Sequence, residues 1–88
     1  MKRGIKQSTD RQDSFFLQAR RRQYEDALVD DYVSWREACR AVAEAYESWR
    51  CAERQRQTFA FGLYVSALDR EEQAATAYEA AVDQLAAA

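Results

Sequence analysis

Alanine returns every seven residues in both halves of this chain, at Ala38, Ala45 and Ala52 and again at Ala60, Ala67, Ala74, Ala81 and Ala88. A seven-residue period keeps one stripe of a slightly underwound helix turned toward a partner, and alanine on that stripe removes the bulk that would hold two backbones apart. The repeat therefore constrains assembly geometry by calling for two helices in close approach. It carries no information about a reaction.

Composition narrows the class in the same direction. The 88 residues make one small domain. Pro is absent, Gly occurs only at Gly4 and Gly62, and seventeen residues are Ala, which favours helix throughout and leaves little turn chemistry for strands. The expected fold class is all-α. No apolar run approaches the roughly 18 residues that span a bilayer. The opening Lys2-Arg3-Gly4-Ile5-Lys6 leads into polar residues instead of the apolar core of a secretory signal, so the expected location is cytoplasmic. Arg outnumbers Lys eleven to two, which points to a GC-rich bacterial or phage genome.

The large apolar residues Leu28, Tyr32, Trp35, Cys39, Val42, Tyr46 and Trp49 are spaced 4, 3, 4, 3, 4, 3, a heptad seam on one long helix. A second seam reads Phe61, Tyr64, Leu68, Glu71, Ala75, Tyr78, Val82 and Leu85. Between them Glu53-Arg54-Gln55-Arg56-Gln57-Thr58 lacks a large apolar residue and breaks the register by one. Folding the chain near Gln55 pairs Trp49 with Phe61, Tyr46 with Tyr64, Val42 with Leu68, Cys39 with Glu71, Trp35 with Ala75, Tyr32 with Tyr78 and Leu28 with Val82. The expected architecture is an antiparallel, coiled-coil-like, alanine-lined helical hairpin. Its helices cover about 13–54 and 58–87 within a domain of residues 13–88, preceded by a basic flexible arm at 1–12. The alternative is one bent helix whose antiparallel dimer makes the same layers between chains. Against a hairpin, the connector lacks the Gly that often follows a helix; Thr58 is the candidate cap for the second helix.

Apolar residues outside the seam call for a further surface. Phe15, Phe16, Leu17, Val29, Val33, Phe59, Leu63 and Val65 are the expected partner-binding residues, with two hairpins joining in a four-helix bundle as the simplest outcome. The competing arrangement folds the N-terminal segment back over them as a third short helix. Charge divides along the chain: residues 1–24 hold seven Lys or Arg against two Asp, and the remainder is acidic. Lys2, Arg3, Lys6, Arg11, Arg20, Arg21 and Arg22 are the candidate nucleic-acid contacts, directed at the backbone and salt-sensitive because no recognition-helix or zinc-finger pattern is present. Local pairing of these arginines with Glu25 and Asp26 opposes that role.

Catalytic chemistry has little to work with. There is no His, the commonest general base and metal ligand. Cys39 and Cys51 stand twelve residues apart on one helix, ~18 Å along its axis, too far to bridge or share a metal. No enzyme activity, metal or cofactor is expected. Glu71 interrupts the second seam opposite Cys39, with Arg36 or Arg40 as its expected counter-charge and register specification as its expected role.

In length and layout the chain resembles the secreted helical hairpins of the WXG-motif family. Trp49-Arg50-Cys51 carries Cys where that motif has Gly, and Tyr78-Glu79-Ala80-Ala81-Val82 carries Val where the family's export signal has an acid. The resemblance stops at layout and implies no function. The residues themselves point to a helical protein–protein interaction or assembly module, such as a small adaptor or regulator, with a nucleic-acid-associated regulator as the alternative.

Overall fold

The computed structural model describes residues 2–88, with side chains from Ser14 onward. Helix α1 is Lys2–Arg50, a 3-10 turn follows at Arg54–Arg56, and helix α2 is Gln57–Ala87. The first helix is expected from about residue 13 after a flexible arm at 1–12, but α1 begins at Lys2; the side chains of Lys2, Arg3, Lys6 and Arg11 lie outside the described ones. The two helices pack against each other within one chain, in a rod of 82 × 14 × 13 Å. This is the expected hairpin, closed within the molecule.

The bend forms without glycine because it needs no left-handed residue. Cys51 N–H donates to the Glu47 carbonyl at 3.0 Å and Ala52 N–H to that of Trp49 at 3.2 Å, closing the last turn of α1. Glu53 then steps into extended backbone at φ −62°, ψ 152°, and Arg56 N–H returns to the Glu53 carbonyl at 2.8 Å. Among the described residues φ is nowhere positive. The first helix thus stops at Arg50, short of the expected 54, and Thr58 sits inside α2 instead of capping it: Arg56 holds the cap position and makes no side-chain cap hydrogen bond. The helical hydrogen bonding closes at Ala52, and Glu53, the first residue of the expected connector, is extended.

The contact face of α2 keeps Tyr64, Glu71, Tyr78 and Leu85 of the seam traced through bulky side chains but places Ala60, Ala67 and Ala81 where that seam has Phe61, Leu68 and Val82. Ala60, Ala67 and Ala81 are the buried residues, 8%, 7% and 4% exposed, whereas Phe61, Leu68 and Val82 remain 46%, 38% and 41% exposed. On α1 the half-buried residues include Leu28, Trp35, Ala38, Val42, Ala45 and Trp49, with Ala52 just beyond its end, and Tyr32 and Tyr46 lie outside them. Alanine therefore occupies the line of closest approach, and larger side chains flank it. A methyl group lets two helices approach, after which neighbouring rings close over the gap from both sides.

Candidate interaction surface

Two aromatic clusters hold the hairpin in register. Near the turn, the Trp49 and Tyr64 rings stack at 5.6 Å and 11°, with Tyr46 tilted against Tyr64 at 5.6 Å and Phe61 against Trp49 at 5.1 Å. Farther along, Trp35 and Tyr78 stack at 5.6 Å and 5°, and Tyr32 lies tilted against Tyr78 at 5.6 Å. Each tryptophan also meets the tyrosine three residues before it edge-on at 6.1 Å. The clusters repeat because the sequence repeats. Tyr32-Val33-Ser34-Trp35-Arg36 and Tyr46-Glu47-Ser48-Trp49-Arg50 are fourteen residues apart on α1, and Tyr64 and Tyr78 are fourteen apart on α2. That spacing is two heptads, so both copies present the same face. The paired Tyr-x-x-Trp-Arg segments carry this signal in the sequence, beyond what single seam positions show.

Glu71 sits beside the second cluster. Its Oε1 accepts a hydrogen bond from the Trp35 indole N–H at 2.9 Å, and the Cys39 thiol approaches the same oxygen at 4.0 Å. The expected arginine partner is thus replaced by an indole, a donor that carries no charge and already lies in the seam. One charge-assisted bond, in a half-buried setting, lets the carboxylate remain between the helices. The equivalent position in the first repeat is Gln57, which borders an open hollow with Tyr46, Trp49 and Arg50.

Near the turn, the Arg50 guanidinium holds Glu47 in a pair at 2.9 Å. Hydrogen bonding and charge from Arg50, aided by the Cys51 thiol, keep the Glu47 carboxyl below its ordinary range. The second ion pair among the described residues is Arg21–Glu25 at 3.4 Å, the local pairing expected for the arginine run. Arg20 and Arg22 are exposed. Arg20 and Arg21 also border an open hollow of about 480 Å³ with Leu17, Tyr24, Gln84 and Ala88. Cys51 is exposed and Cys39 half-buried, both as free thiols.

All eight apolar residues singled out from the sequence are exposed: Phe15 and Phe16 at 70%, Leu17 at 64%, Val29 at 59%, Val33 at 48%, Phe59 at 71%, Leu63 at 52% and Val65 at 39%. They do not form one patch. The register that stacks Trp49 on Tyr64 and Trp35 on Tyr78 puts Leu63 level with Arg50, twenty-one residues along α1 from Val29. That separation is about 30 Å. One group, Phe15 to Val33, belongs to α1; the other, Phe59 to Val65, belongs to the turn end of α2. Phe15 and Phe16 touch edge-on at 6.4 Å. No helix among the described residues is long and apolar enough to cross a membrane. No known family model, curated protein or solved structure matches the chain.

Proposed function

We propose that the chain is a non-catalytic helical interaction module that self-associates, two hairpins bringing four helices together. One observation carries this reading. Among the described residues the hairpin buries only Ala60, Ala67 and Ala81, and no large side chain is fully enclosed, while Phe15, Phe16 and Phe59 stand about seven-tenths open to water. A two-helix layer has no second layer to cover its outer faces. Association with another copy supplies one and removes part of this exposed apolar surface from water, which is the dominant favourable contribution to such assembly.

Light scattering on the purified chain across a dilution series tests the proposal. A mass near twice the 10.2 kDa of one chain, falling toward the single value on dilution, is expected. A mass of 10.2 kDa at every concentration contradicts it.

A further inference from the structure

The side of α1 turned away from α2 carries a second heptad pattern. Phe15, Ala19, Arg22, Asp26, Val29 and Val33 are spaced 4, 3, 4, 3, 4, the rhythm of a coiled-coil seam. At about 100° per residue this stripe lies roughly half a turn around α1 from Leu28, Trp35 and Ala38 on the α2 side. Every one of the six residues is exposed.

The stripe is also self-complementary when reversed. Set antiparallel to itself, it places Phe15 against Val33, Ala19 against Val29 and Arg22 against Asp26, each pair occurring twice about a two-fold axis near Tyr24. Apolar residues meet at the ends, and opposite charges meet in the middle. The surrounding charge agrees: residues 14–24 hold three arginines and no acid, and residues 25–35 hold Glu25, Asp26, Asp30 and Asp31 with no base. An antiparallel lap sets the basic stretch of one chain on the acidic stretch of the other, whereas a parallel lap in register opposes like charges.

We infer that this back face of α1 is the dimer interface, occupied by the same face of a second copy running antiparallel. The inference rests on the self-association proposed above and assigns it a surface. The two α1 helices lie at the centre of the assembly, and each α2 remains on the outer side of its own α1. The turn-end group of Phe59 and Leu63 takes no part.

Charge reversal in the full chain tests the assignment. Arg22→Glu and Asp26→Arg, made separately, each set two like-charge contacts across the two-fold axis and are expected to weaken dimerisation about ten- to a hundredfold in sedimentation measurements. Mixing the two variants turns both contacts attractive again, so a heterodimer forms with nearly wild-type affinity, identified by native mass spectrometry. Within each variant chain positions 22 and 26 still carry like charge, so recovery on mixing reports contact between chains and not repair of the helix. Variants that dimerise with wild-type affinity, or variants that mixing fails to rescue, overturn this interface while leaving self-association standing through another surface. A wild-type chain that stays single at all concentrations overturns both.

Discussion

At the residue scale, the seam tolerates Glu71 because Trp35 supplies a donor at 2.9 Å. Glu71→Ala removes the acceptor and leaves the indole N–H half-buried without its partner, which is expected to cost about 1–3 kcal/mol in urea unfolding at fixed chain concentration. Glu71→Gln keeps an acceptor oxygen and should cost less than about 1 kcal/mol. Equal losses in the two variants would mean that the indole bond contributes nothing. The Glu47–Arg50 pair predicts a pH effect of definite sign. Arg50 lowers the Glu47 pKa in the fold, so the pair's contribution is present above the unfolded-state value and is lost as pH falls through the folded one. In a carboxyl titration by nuclear magnetic resonance, Glu47 should titrate below the ordinary glutamate range, and Arg50→Gln should move its midpoint upward. An unchanged midpoint in the variant would remove the pair from solution. Glu71's partner was not legible in the sequence, because Arg36 and Arg40 offered opposite charge nearby while the indole's role as a donor depends on where its ring lies.

At the element scale, Gly62 is a cost that α2 carries without visible return. A Cβ built there meets nothing within 4 Å, and its φ is not positive. Gly62→Ala should therefore stabilise the hairpin by about 0.5–1 kcal/mol, read as a higher urea midpoint. A lower midpoint would show that the backbone at Gly62 is needed by a contact beyond the hairpin. The two helices and their antiparallel pairing were legible because a seven-residue period has few other physical meanings. The pairings of Trp49 with Phe61, Tyr46 with Tyr64, Cys39 with Glu71 and Tyr32 with Tyr78 all occur. The line of closest approach was not legible from bulk. A seam traced through the largest apolar residues selects Phe61, Leu68 and Val82, yet two backbones approach where side chains are smallest, at Ala60, Ala67 and Ala81. The end of α1 was equally hard to place. It falls at Arg50, ahead of a connector with neither Gly nor Pro to mark the stop.

At the scale of the whole molecule, a rod 82 Å long and 14 Å wide has far more surface than interior. Its exposed rings and aliphatic residues leave much of the available hydrophobic stabilisation unused by a single chain. If association supplies the remainder, folding and assembly are linked, and stability depends on concentration. Urea unfolding at two chain concentrations a hundredfold apart measures that linkage. The midpoint should rise at the higher concentration, with a gain in stability of about 2.7 kcal/mol for a fully coupled dimer. Superimposable unfolding curves at the two concentrations would contradict it.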